Sequence, residues 1–127
     1  MSVVRTAAGI AKLVNELISL SGETTWLEFK ENNANPEEIG EYISALANSA
    51  SLANKSCGYL VWGVRDGTHE VVGTRFAPHS EKQGNEALEN WLHRLLTPHT
   101  HFEFIEATVE GKRVVVLEVE GAQRQPV

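Results

Sequence analysis

The sequence predicts a mixed α/β (α+β) fold, a single β-sheet with helices packed on it, in the order helix, strand, helix, two strands, helix, two strands. Three observations predict it. Apolar residues recur at a helical period near 3.6 in the first fifty positions. Residues 58–64 are almost uninterrupted apolar, as in a strand covered on both faces. Two alternating runs meet at Glu110-Gly111 and read as a hairpin. A chain of 127 residues makes these elements one layered domain rather than two.

Residues 6–20 carry Ile10, Leu13, Val14, Leu17 and Ile18, the stripe of an amphipathic helix that Ser21-Gly22 stops. Residues 26–30 form a short strand, with Leu27 and Phe29 on one face and Trp26, Glu28 and Lys30 on the other. The turn at residues 33–36 opens the clearest helix. Asn35 caps it, Pro36 takes its first position, and Glu38 completes a capping-box-like pattern. Its buried face is Ile39, Ile43, Leu46, Ala47 and Ala50. After a polar loop around Asn54-Lys55-Ser56 comes the apolar strand 58–64, and Asp66-Gly67 turns the chain so that residues 70–73 pair back as a hairpin. Ser80 caps a third helix that runs to about residue 96, with Leu88, Trp91, Leu92 and Leu95 facing inward, and Pro98 ends it. Residues 102–109 and 112–119 are the closing hairpin. Residues 1–22 are thus an N-terminal helix, residues 23–120 the domain, and residues 121–127 the start of a C-terminal continuation in a longer protein.

Composition restricts function. No apolar run approaches the roughly 20 residues of a membrane span, and the N-terminus lacks a signal-peptide layout. One cysteine, Cys57, excludes an internal disulfide and fits a reducing cytoplasm. The net charge of −6 argues against a stand-alone non-specific DNA binder, which is usually basic, but leaves room for a local basic patch or a bound metal. No Gly-x-x-x-x-Gly-Lys-Ser/Thr loop occurs, and Gly111-Lys112-Arg113 sits in a hairpin without the upstream glycine, so P-loop ATP hydrolysis is excluded.

Three carboxylates, Glu23, Glu28 and Asp66, lie at the edges of the apolar β-like runs. From such positions they can project into a cleft and bind a hard cation or polarise a water. The five-residue step from Glu23 to Glu28 puts them on opposite faces of a regular strand, so a shared site requires a bend near Thr24-Thr25. Taken alone, the residues favour a plainer reading. Glu23 precedes the strand, Glu28 pairs with Lys30 or Arg65, and Asp66 makes an Asx-type turn. Arg65, Arg75 and Lys55 form either a modest basic rim or scattered surface charge. His99 and His101 are two apart but have no cysteine partner, and read as loop residues. Trp26, Trp62 and Trp91 fall in the apolar pattern, with Trp26 able to stack on a base if exposed.

At Trp26-Leu27-Glu28-Phe29-Lys30, the helix ending in Ala-Leu-Ala-Asn at Asn48, and Gly63-Val64-Arg65-Asp66 followed by Val72-Gly73, the chain resembles the Schlafen-type AlbA domain family. The nearest flavour is the bacterial group assigned as transcriptional regulators or helicase-related DNA-binding proteins, in which this domain lies N-terminal to further segments. The resemblance implies an AlbA-like fold and a nucleic-acid-binding module. It implies, for an enzymatic member, a metal-dependent endoribonuclease with Mg²⁺ or Mn²⁺ held by Glu23, Glu28 and Asp66. On that reading the three carboxylates neutralise the metal, which activates a water, and Lys30 binds a neighbouring phosphate. Family members often join helix and strand by a short Asn-Thr-x-Gly-Gly link, whereas residues 48–58 here read as a longer loop. Active Schlafen nucleases pair two modules, so a single copy would act as a homodimer. The expected function is therefore nucleic-acid binding, to DNA or RNA through Lys30, Lys55, Arg65 and Arg75, in a cytoplasmic bacterial regulator. The alternatives are the nuclease and a protein-interaction or dimerisation module.

Overall fold

The computed structural model describes residues 7–20, 24–96 and 100–122. In chain order the elements are α1 (Ala7–Ile18), β1 (Leu27–Lys30), α2 (Pro36–Leu52), β2 (Cys57–Trp62), β3 (Lys82–Gln83), β4 (Glu86–Ala87), α3 (Leu88–Leu95), β5 (Phe102–Val109) and β6 (Lys112–Glu120). The fold class is the expected one. A four-stranded mixed sheet in the order β1-β2-β6-β5 carries helices on both faces, and β3-β4 is a separate small ribbon. β1 and β2 are parallel, while β6 runs antiparallel to both β2 and β5.

Alternation along the strands divides the core in two. Leu60, Trp62, Phe104, Val115, Leu117 and Val119 face α2 and α3, packing on Ile39, Ile43, Leu46, Leu88 and Leu92. Leu27, Phe29, Val61, Val114, Val116 and Ala107 face α1, packing on Ile10, Val14 and Leu17. Each fully buried aliphatic side chain contributes about 1.5–3 kcal/mol through removal from water. β2 supplies both clusters, which is why residues 58–64 have no polar alternation.

α2 begins as its sequence dictates. Asn35 accepts from the Glu37 and Glu38 amides, Pro36 needs no amide partner, and Glu37 and Glu38 place negative charge at the helix N-terminus. Glu38 does not close a capping box, because its carboxylate accepts from the Asn33 side-chain amide at 3.2 Å. The stretch after Asn48 corrects the expected long loop. α2 continues to Leu52 and buries Ala50, so the extra residues lengthen the helix and the link to β2 is short.

Two further segments differ from expectation. Residues 70–73 do pair back, through Arg65 N to Glu70 O and Val72 N to Gly63 O, both 2.8 Å, but the pairing amounts to one Val64–Val71 bridge rather than a strand. The third helix starts at Leu88, not Ser80. Gly84, with φ +65°, turns the chain so that Gln83 pairs with Glu86, and the β3-β4 ribbon takes up the first turns of the expected helix. Ala87 at the resulting N-cap makes no side-chain cap. Among the described residues no helix is long and apolar enough to cross a membrane.

Candidate nucleic-acid interface

Topology brings separated polar segments to one end of the sheet. β1 and β2 run parallel and finish together, with Lys30 opposite Trp62, and β6 starts at the same end, with Val115 opposite Trp62. The Lys30 carbonyl accepts from the Gly63 and Val64 amides, at 2.8 and 3.3 Å, and so ties the two strand ends together. Beyond the bridge at Val71 the chain crosses to the start of β6, where Thr74 N donates to Arg113 O at 2.9 Å.

Asn32, just past β1, pins that crossing segment. Its Oδ1 accepts from the Thr74 hydroxyl at 3.0 Å and from the Arg75 amide at 2.9 Å. The Thr74 hydroxyl in turn accepts from Phe76 N at 3.1 Å, and the Phe76 ring is buried 4.6 Å from Trp62. The segment is therefore held from both sides, by the Asn32 carboxamide and by the core. Between it, Asn32 and the first residues of β6 lies an open cleft of about 430 Å³, lined by Val72, Gly73, Thr74, Arg75, Lys112 and Arg113.

The cations of this cleft differ in what they have already bound. Arg113 donates to the Thr74 and Phe76 carbonyls and to the Glu106 carboxylate, so its charge is matched and its fork holds the segment in place. Lys112 donates one hydrogen bond, to Val71 O at 3.3 Å, and pairs with no carboxylate among the described residues. Arg75 is exposed, and its guanidinium makes no hydrogen bond or ion pair among the described residues. Two positive charges thus line the cleft without an ion-pair partner among the described residues.

The residues expected from sequence do not all meet in one place. Lys30 lies on the α2 face of β1, its ammonium 5.2 Å from the centre of the Tyr42 ring. Tyr42, as hydrogen-bond partner, is the first cause of a pKa held above its ordinary value, with Glu28 and Glu38 adding to it. Glu28 is half-buried on the same face of β1. Arg65 pairs with Glu31 at 3.4 Å and Glu70 at 3.2 Å, rather than with Glu28. Arg75 lines the cleft. Lys55 does not join these residues. It precedes β2, over the Trp26 ring at 5.1 Å, and the six residues of β2 put it about 20 Å from the strand's other end.

Asp66 is exposed in the turn after Val64, and Glu23 and His99 lie outside the described residues. Among the described residues no group of three or more His, Cys, Asp or Glu side chains can hold a metal ion. The three-carboxylate set expected from sequence includes Glu23 and so lies partly outside the described residues.

Four polar cleft residues were not expected from sequence: Asn32, Thr74, Lys112 and Arg113. The signal for the last two was present in the basic pair that opens the final strand, once that strand is set beside residues 58–64. Asn32 carries no local signal, since its partners stand more than forty positions away.

Residues 23–127 match the family described as Schlafen, AlbA_2. Among solved structures, the chain is similar to the N-terminal domain of a Nitrosomonas europaea protein described as related to the ATP-dependent DNA helicase RecG. The two are 22% identical with a TM-score of 0.54, over 94% of this chain and 76% of that one. It is also similar to the DIP2311 protein of Corynebacterium diphtheriae, at 18% identity and TM-score 0.47, over 89% of this chain and 22% of that one. At these identities the likeness is one of fold. No curated protein matches the chain.

Proposed function

The chain belongs to the Schlafen, AlbA_2 family, and from that premise we propose that it binds nucleic acid through the cleft at this end of its sheet, as the N-terminal binding part of a bacterial regulator or helicase-related protein. The observation that carries this reading is the pair of cations without a counter-charge, Arg75 and Lys112, on one cleft of a protein whose net charge is −6. An acidic surface repels a polyanion, but at physiological ionic strength charges more than about 8 Å away are largely screened. A concave site holding two local cations then governs what approaches it. Lys30 and Arg65 stand near the same strand ends with their charges already engaged. They contribute to the field more than to direct phosphate contact.

The test is fluorescence anisotropy with labelled single-stranded DNA and tRNA, comparing the unmutated chain with the Arg75→Gln/Lys112→Gln double variant. Removal of both cations is expected to lower affinity by about a hundredfold, taking each charge-assisted contact as about tenfold. Equal binding by both proteins overturns the assignment to this cleft. Absence of binding in the unmutated chain overturns the nucleic-acid reading and favours a protein-interaction module. Incubating the tRNA with Mn²⁺ or EDTA, beside Asp66→Asn, addresses the carboxylate expectation. Cleavage that needs both the metal and Asp66 would add nuclease chemistry to binding.

A further inference from the structure

We infer that Asn32 is a ligand of the cleft in its own right, and that with Arg75 and Lys112 it forms a binding site for a phosphate group. The inference starts from the chemistry of an amide. The Arg75 backbone N–H and the Thr74 hydroxyl both reach the same side-chain atom of Asn32, at 2.9 and 3.0 Å. A backbone N–H can only donate, so that atom is the carbonyl oxygen and the orientation of the carboxamide is fixed. Its NH₂ group is then fixed as well. It carries two donors and makes no hydrogen bond among the described residues.

An exposed asparagine normally rotates and offers a ligand either end. Here two bonds already engage the acceptor end, so the donor end is what remains for a ligand of the cleft that Asn32 lines. The backbone amides of the crossing segment are already used. Val72 and Gly73 N–H bond to Gly63 O, Thr74 N–H to Arg113 O, and Arg75 N–H to Asn32. The side-chain donors left to a ligand are therefore a guanidinium, an ammonium and a carboxamide NH₂, with no paired carboxylate among the described residues. That set suits an oxyanion with several oxygens, and the volume falls within the roughly 300–1,000 Å³ of ligand clefts. The phosphate comes either from a nucleic-acid backbone, which rests on the function proposed above, or from a free phosphate compound.

Asn32→Asp separates the ligand role from the structural one. Aspartate keeps an oxygen for Thr74 and Arg75, so the segment stays pinned, but it replaces the NH₂ with an oxygen that repels phosphate. Two probes are used, inorganic phosphate followed by ¹H–¹⁵N NMR and a short oligothymidylate followed by anisotropy. The expected result is that phosphate shifts the Asn32 side-chain amide and the Arg75 resonances. Asn32→Asp should then weaken oligothymidylate binding about tenfold or more, with the Thr74 and Phe76 amides unmoved.

If oligothymidylate binds Asn32→Asp as tightly as the unmutated chain, and phosphate shifts no cleft resonance, this inference fails while the nucleic-acid reading stands. If phosphate shifts the cleft but oligothymidylate does not bind, the anion site stands with a free phosphate compound as its ligand, and the nucleic-acid reading fails. Should Asn32→Asp not fold, Lys112→Gln removes a ligand without touching the Asn32 bonds. Unchanged phosphate shifts in that variant would overturn the site.

Discussion

Two arginines of one cleft show how far a side chain's role depends on its neighbours. Arg113 spends its donors on the Thr74 and Phe76 carbonyls and on Glu106, which makes it part of the scaffold. Among the described residues Arg75 bonds only through its backbone amide, to Asn32, and its guanidinium has no partner. Lys30 belongs with Arg113. Tyr42 first, as hydrogen-bond partner, and then Glu28 and Glu38 favour its charged form and raise its pKa above the ordinary 10.5. A raised lysine pKa stabilises the fold fully below the unfolded value, and that contribution disappears as pH climbs through the folded one. Stability measured by urea midpoint should therefore hold a constant margin over Lys30→Met from neutral pH to about pH 10, then lose it on further rise. Tyr42→Phe removes the first cause and should bring the loss to lower pH. A margin that persists unchanged well above pH 10 would show that Lys30 stabilises by packing rather than by charge.

Among the elements, the contact of α2 with β2 is set by the absence of a side chain. A Cβ on Gly58 would lie 2.9 Å from the Leu46 carbonyl oxygen and 3.0 Å from its Cβ, so the helix could not keep its present distance from the strand. Gly58→Ala should destabilise the fold by about 1–3 kcal/mol, the range for overpacking a core, seen as a lower urea midpoint. No change would mean that α2 shifts without loss of packing. These two elements were also the most legible in sequence. Asn35-Pro36 states the start of α2 through local hydrogen bonds, and an apolar run states a central strand through burial. The start of α3 was obscured because Ser80 is a good cap by composition, while Gly84-Asn85 about one turn later makes a hairpin that ends the cap's claim. The cleft was less legible still. Its donors come from the end of β1, the segment after Val71 and the start of β6, and only the strand order β1-β2-β6 brings them together. No sequence window contains that information.

For the whole molecule, the folded unit is larger than the family-matched region. α1 precedes residue 23, yet Ile10, Val14 and Leu17 are buried against Phe29, Val61, Val114 and Val116. The His69 ring fastens the helix end to the rest, with Nδ1 3.0 Å from the Ile18 carbonyl and the ring 4.6 Å from Phe29. The similarity to the Nitrosomonas europaea domain likewise extends over 94% of the chain and so reaches past the matched residues. With α1 covering one face and α2 and α3 the other, the sheet offers a ligand its ends and its outer strands, not its flat surfaces.

That restricts the proposed nucleic-acid contact to few phosphates. Among the described residues Arg75 and Lys112 are the cleft cations without a counter-charge, so on this proposal about two phosphates would be neutralised. The plot of log K against log salt should then have a slope near −1.4 for a single strand, at about −0.7 for each phosphate. The net charge of −6 is screened more effectively as salt rises, which can only make the slope shallower. A measured slope of about −4 or steeper would require cations from elsewhere, supplied by a second copy of the chain or by a further segment of a longer protein. A slope that is shallow and disappears in Arg75→Gln/Lys112→Gln would place the whole electrostatic contact in this one cleft.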